Sequence, residues 1–222
     1  MIHLGSIAGT SIDVDFSFIF IVVLWVLNEY QSTKDMRVAL LWAPILFIGI
    51  LVHEFAHAAM IGIFGYGPSN IILRGIGGVT INSRRSRPWH DLVISLAGPV
   101  ASFLLAALAL FLYARVPRIS QDPMMRAFIP LFASANILWG TFNLLPVSPL
   151  DGGHVVRNFF RMFLKEATAF VISVWIAFVA GAAFIIFMLF SREILVAALV
   201  AWFVWMNFQQ WQYFRTHGYP GD

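Results

Sequence analysis

Long apolar runs separated by short polar turns dominate the chain. They cover Phe16 to about Asn28 (extendable to Tyr30), Val38 to about Phe64, a run from just after Pro88-Trp89-His90-Asp91 to about Tyr113, about Met125 to Leu145, about Ala167 to Phe190, and about Ile194 to Phe214. Runs of this length suit helices that cross a hydrocarbon core of about 30 Å. Glu29 to Arg37 and Arg115 to Asp122 read as polar turns, and residues 154–166 carry Arg157, Arg161 and Lys165. Two stretches follow a different period. In residues 2–15, Ile12, Val14 and Phe16 alternate with Ser11, Asp13 and Asp15, and Gly5 and Gly9 punctuate an earlier short strand. That is the period of half-buried β-structure. In residues 65–88, Ile71-Ile72-Leu73 and Val79-Thr80-Ile81 flank Gly75-Ile76-Gly77-Gly78. This predicts a β-hairpin, apolar enough to dip into the membrane or lie on its face. The fold class expected is an all-α polytopic membrane protein of about six transmembrane helices with a small membrane-associated β-sheet or hairpin. Residues 1–222 read as one domain, with spans one and two in 16–64, three and four in 89–153, and five and six in 167–214.

Composition sharpens this reading. Hydrophobic residues make up 60% of the 222, charged residues 11%, and the mean hydropathy is +0.82. Soluble domains carry about 25% charged residues. The net charge of +3 comes from scattered arginines, without the basic run that tracks nucleic acid. There is no cysteine, so any metal must be held by histidine and carboxylate. The N-terminus lacks the Lys/Arg of a signal peptide, and the first apolar run is kept as a span.

Six spans place both termini on one side. Arg74, Arg84, Arg85, Arg87, Arg157, Arg161, Lys165 and Arg215 share that side; Lys34, Arg37, Arg115, Arg118, Arg126 and Arg192 face the other. Lys/Arg enrichment marks the cytoplasmic face, so both termini are expected in the cytoplasm.

One pentapeptide carries chemistry: His53-Glu54-Phe55-Ala56-His57, an H-E-x-x-H inside the second run. Helix positions i and i+4 share a face, so His53 and His57 can direct two imidazole nitrogens at one metal ion. Glu54 sits where a carboxylate can take a proton from metal-activated water, which is the zinc-hydrolase arrangement. Two histidines and a glutamate in hydrocarbon cost several kcal/mol unless they have partners or a function. Counted from Val38 at 1.5 Å per residue, His53 lies about 22 Å from the outer end of its span, within the inner third of the membrane.

Catalytic zinc usually takes three protein ligands and leaves one position open. His90, Asp91, Asp151 and His154 are candidates for the third. Asp151 stands out because Pro146 and Pro149 break the fourth span before it, and Gly152 and Gly153 follow it. Unwound backbone persists at membrane depth only where it is buried in protein or lines a cavity. The alternative is that Asp151 caps the segment beginning at Gly152.

Together, H-E-F-A-H in the second span and N-L-L-P-V-S-P-L-D-G-G (Asn143–Gly153) at the end of the fourth resemble the site-2 protease family of intramembrane zinc metalloproteases. Leu96-Ala97-Gly98-Pro99 is similar to that family's A-G-P segment. Gly5 to Phe18 is similar to its glycine-punctuated opening, and the 70–82 hairpin falls where the family places a membrane-associated one. The resemblance implies one zinc ion per chain held by His53, His57 and Asp151, and Glu54 as the residue that activates water. It also implies that Asn143 contacts substrate or the oxyanion, with Asn136 a second candidate that could equally make a helix–helix hydrogen bond. The implied substrate is a transmembrane protein cut in or near its membrane segment, in the lipid bilayer; the Lys/Arg bias and the depth of His53 predict that the active site opens to the cytoplasm. The pattern departs from relatives in lacking a PDZ insertion and a CBS module, and in having Asp15 where many have histidine.

The rival reading is a transmembrane zinc or metal-ion transporter, one family of which carries H-E-x-P-H-E. Here Ala56 and Ala58 replace that proline and final glutamate, and no second His/Asp-rich span or internal repeat completes a transport path.

Overall fold

The computed structural model describes residues 1–7, 9–75, 77–82 and 86–218. Ile76 in the hairpin turn, and Arg84 and Arg85 in the expected arginine-bearing loop, lie outside the described residues. The chain forms two units, Met1–Arg85 with Ala97–Gly140, and Ser86–Leu96 with Thr141–Asp222. The first holds β1 (Ile2–Ile7), β2 (Thr10–Val14), α1 (Phe16–Thr33), α2 (Met36–Ile63), β3 (Ser69–Arg74), β4 (Gly77–Asn82) and α4 (Pro117–Gln121), with most of α3 (Pro88–Arg115) and α5 (Pro123–Asn143). The second holds the start of α3, the end of α5, α6 (Asp151–Arg161), α7 (Glu166–Phe190) and α8 (Ile194–His217).

Both expected β-segments form, and they join. The sheet has the order β1-β2-β3-β4. The outer pairs are antiparallel hairpins, while β2 and β3 run parallel, from Thr10 opposite Ser69 to Val14 opposite Leu73. Thr10 Oγ1 and Ser69 Oγ share a buried hydrogen bond of 3.0 Å across that junction. A parallel pair needs a long crossover, and here α1 and α2 supply it. The alternation in β2 turns Ile12 and Val14 inward. Val14, Ile71 and Leu73 then form one apolar cluster with Phe18 of α1 and with Ile50 and Ala58 of α2. Ile50 and Ala58 bracket the H-E-x-x-H, so the sheet is packed on the turn of α2 that carries it.

Asp15 starts α1 as its N-cap, accepting from the Ser17 amide at 3.0 Å and the Ser17 hydroxyl at 2.6 Å. The Ser17 hydroxyl first, then its amide, hold this carboxyl below its ordinary pKa. The Asp15 amide donates to Leu73 O at 2.8 Å, which ties the head of α1 to β3.

Among the described residues, five helices are long and apolar enough to cross a membrane: α1, α2, α3, α7 and α8. The expected fourth span is α5. Its 21 residues give about 31 Å of helix, but Arg126, Ser134, Asn136 and Asn143 dilute its apolar character.

Two stretches read as turns contain helices. Within 115–122, Pro117 opens α4, where its fixed φ suits a first helical position. Within 154–166, most residues belong to α6. Gly152 and Gly153 were expected to free the backbone beside Asp151, and they instead permit close packing. A Cβ at Gly152 would overlap the carbonyl groups of Leu144 and Leu145, and one at Gly153 would sit 2.5 Å from the Ser148 amide nitrogen. The second unit's core is Val147, Leu150, Ala177 and Phe203. Asn207 of α8 donates through Nδ2 to Ser148 O at 2.6 Å and Phe203 O at 2.8 Å, anchoring the 144–150 loop.

Gly181 of α7 lets Val204 of α8 approach so closely that a Cβ would overlap the valine methyl. Gly181→Leu is expected to separate these helices at a cost of about 1–3 kcal/mol. Thermal unfolding in detergent should show a lower midpoint than wild type, and an unchanged midpoint would contradict this packing.

Candidate metal centre

His53, Glu54 and His57 are buried at 2%, 5% and 6% exposure on one turn of α2. The two imidazole centroids lie 4.9 Å apart with the rings at 78°. His53 Nδ1 is 3.0 Å from Ser102 Oγ, which is itself fully buried on α3. With Nδ1 engaged there, Nε2 is the nitrogen presented to the site. Both Nε2 atoms converge over Gly98. A Cβ at that position would sit 2.5 Å from His53 Nε2 and overlap His57 Nε2. Gly98 and Ser102 are one turn apart on α3, so one face of α3 both orients an imidazole and leaves room beside the pair.

Glu54 meets the sheet. Thr80 Oγ1 of β4 donates to Glu54 Oε2 at 2.8 Å and lies 3.2 Å from Glu54 O. Gly78, two residues earlier on the same strand face, leaves space for the Glu54 side chain; a Cβ there would overlap its Cγ and carboxyl carbon. Trp139 of α5 stands edge-on to His53 with centroids 6.3 Å apart. Asn136, one turn back on α5, is 2% exposed and presses on Gly49, four residues before His53 on α2. Its Nδ2 donates to Phe132 O at 2.8 Å.

The other expected site residues lie in the second unit. Asn143 is the last residue of α5 and is buried. Asp151 is the first residue of α6. The N-cap position belongs to Leu150, so Asp151 is the first helical residue rather than the cap residue. Among the remaining ligand candidates, Asp91 pairs with Arg161 at 3.2 Å and with the Ser86 hydroxyl. His90 packs against Trp89 with ring centroids 3.8 Å apart. His154 lies in the first turn of α6.

The donor chemistry fits zinc. Two imidazole nitrogens converge on a space that a single methyl group would fill, the available third donors are carboxylate or imidazole, and a thiolate site is impossible in a chain without cysteine. Three of the residues that shape this centre carried no role in the sequence reading: Ser102, Thr80 and Gly78. Ser102 had a signal, since it is a hydroxyl residue one helical turn after Gly98 of the A-G-P segment. Thr80 and Gly78 had none, because their partner is far away in sequence.

Residues 16–147, more than half of the chain, match the Peptidase M50B-like family, and residues 118–188 match Peptidase family M50. The chain belongs to the M50 peptidases, the site-2 protease family of zinc metalloproteases. Among relatives of this family, Rip3 of Mycobacterium tuberculosis is 30% identical over 171 residues, which cover 71% of this chain and 43% of that protein. A zinc metalloprotease of Methanocaldococcus jannaschii is 28% identical over 163 residues, covering 70% and 44% of the two chains. The chain thus spans less than half the length of these two curated M50 relatives. A solved site-2 protease from Methanocaldococcus jannaschii superimposes with a TM-score of 0.66, at 24% identity and 94% coverage of both chains, and shows the same fold.

Two substitutions test the imidazole pair. Ser102→Ala removes the group that orients His53 and is expected to weaken zinc binding about 10- to 100-fold, measured by competition with a chelator. Gly98→Ala is expected to push both rings apart and to lower zinc per chain, measured by elemental analysis. Full zinc loading at wild-type affinity in both variants would rule out this geometry.

Proposed function

We propose that the chain is an intramembrane zinc metalloprotease that hydrolyses a peptide bond in or near a transmembrane segment of a membrane-protein substrate. The observation that carries this reading is the pair of imidazole Nε2 atoms converging over Gly98, with Glu54 beside them, on a buried turn of a membrane-length helix. His53, His57 and Asp151 are the proposed ligands, with one zinc ion per chain. They offer two imidazoles and one carboxylate. Supporting Asp151 is the engagement of Asp91, another candidate, by Arg161.

Zinc, when bound, supplies Lewis-acid polarisation of the scissile carbonyl and brings the pKa of water to about 7. Glu54 is the proposed general base, taking the proton of the attacking water and returning it to the leaving amine. Asn143 is the proposed donor to the oxyanion, a contact typically worth about 3 kcal/mol. For Asn136, burial against Gly49 supports a role in packing α5 on α2 rather than in touching substrate.

A substrate helix hides its peptide bonds and must be extended before cleavage. A strand of the sheet is the proposed holder, by strand addition. Of the hairpin positions, Ile72 is on β3, which is paired on both sides, so within this hairpin the edge belongs to β4. Val79 and Ile81 on β4 are 41% and 48% exposed. The proposed orientation keeps both termini and the site's opening on the cytoplasmic side. It requires α5 to cross the membrane, which its length allows.

The test is cleavage of a labelled single-span peptide in detergent, with metal analysis of each sample. Glu54→Gln is expected to lose cleavage while keeping about one zinc per chain. Asp151→Ala and chelator treatment are expected to lose both zinc and cleavage. Zinc bound by wild type without cleavage of any peptide, together with metal flux in proteoliposomes, would replace the protease reading with transport.

A further inference from the structure

We propose that Thr80, on the edge strand of the sheet, is a positioning residue that holds the Glu54 carboxylate in its working orientation. This rests on the reading of Glu54 as the general base.

The position of Glu54 on α2 does not by itself aim its carboxylate at the histidines. On α2 it is adjacent to His53, and adjacent helix positions point about 100° apart. A glutamate has three side-chain torsions, and one facing away from the histidines serves no purpose in proton transfer. General-base catalysis requires the carboxylate within hydrogen-bond reach of the proton it takes. β4 supplies one restraint on Glu54. The Thr80 hydroxyl has one proton and gives it to Oε2 at 2.8 Å. A hydroxyl donor on one carboxylate oxygen limits rotation of the side chain about its last torsions. Thr80 Oγ1 also lies 3.2 Å from the Glu54 main-chain carbonyl, which keeps the hydroxyl on the same residue at both ends of its side chain.

Gly78 completes the seat. Positions 78 and 80 face the same side of β4, because strand side chains alternate. The Glu54 side chain runs across the Gly78 backbone in space that any Cβ would occupy. The strand therefore closes over Glu54 with a donor at one position and a gap two residues before it. Val79 and Ile81, on the opposite face, are exposed. Burial explains neither choice. Val or Ile at position 80 would suit a strand equally well by propensity, and a glycine inside a strand weakens it. Both are accounted for by the carboxylate they accommodate.

The experiment compares wild type, Thr80→Val, Thr80→Ser and Glu54→Gln, each as the full chain in detergent, zinc-loaded, on the same fluorescein-labelled single-span peptide. Valine keeps the shape and strand preference of threonine and removes only the donor; serine restores the donor. The expected result for Thr80→Val is a kcat lower by about 10- to 100-fold, with KM within about twofold, zinc per chain unchanged and an unchanged melting midpoint. Thr80→Ser is expected to recover most of the lost kcat. If Thr80→Val matches wild type while Glu54→Gln is inactive, the base assignment stands and the positioning role is overturned. If Thr80→Val loses zinc or stability, or if serine fails to rescue, Thr80 is structural and the proposal is wrong. If Glu54→Gln cleaves as wild type does, the reading of Glu54 as base fails and the role of Thr80 falls with it.

Discussion

Burying two imidazoles and a carboxylate on one turn of an otherwise apolar helix is the constraint that the rest of this protein answers. Polar groups at membrane depth are costly unless they are paired. The pairing comes from two directions. On one side, α3 brings Ser102 to His53 Nδ1 and presents Gly98 where both Nε2 atoms converge. On the other, β4 brings Thr80 and Gly78 to Glu54. Each contributor combines one hydrogen-bonding side chain with one glycine nearby on the same face. The hydroxyl fixes an orientation, and the glycine leaves the volume that the oriented group, or its metal, needs.

The sheet is what makes the second of these possible. Its two hairpins are separated by α1 and α2, and neither would be stable alone, since isolated two-stranded hairpins are marginal. Pairing β2 parallel to β3 joins them and turns Val14, Ile71 and Leu73 onto α2 on both sides of the H-E-x-x-H. β4 is thereby carried to Glu54, and its outer edge is left for another strand. One small sheet thus braces the turn of α2 that carries His53 and His57 and leaves the edge of β4 beside Glu54. In the second unit the same economy of volume appears at Gly152, Gly153 and Gly181, where absent side chains let backbone or helix approach closely. There it shapes the loop that leads into Asp151.

Much of this was legible in the linear chain. Apolar runs located the membrane helices, period-2 alternation located the strands, and H-E-x-x-H located the buried histidine pair, because helix and strand periods and the i, i+4 spacing are local properties of the backbone. The same local reasoning went astray where context overrode it. Gly152 and Gly153 suggest freed backbone beside Asp151, yet they lie in the first turn of α6, where they meet the carbonyls of Leu144 and Leu145 and the Ser148 amide rather than supplying unusual torsions. For α5, length argues for a span, while Arg126, Asn136 and Asn143 lower its apolar character.

What the sequence determined by itself was therefore the kind of chemistry: donor types, their spacing on one helical turn, and an apolar setting that makes such donors expensive to keep. What only the tertiary structure decided was the set of neighbours. Ser102 lies 49 residues from His53 and Thr80 26 residues from Glu54, and no backbone period links positions so far apart. Parallel pairing of β2 with β3 is likewise invisible in sequence, since it depends on where two helices return the chain. Contacts of that kind are chosen by packing and by the need to satisfy buried polar groups, and both are properties of the folded chain as a whole.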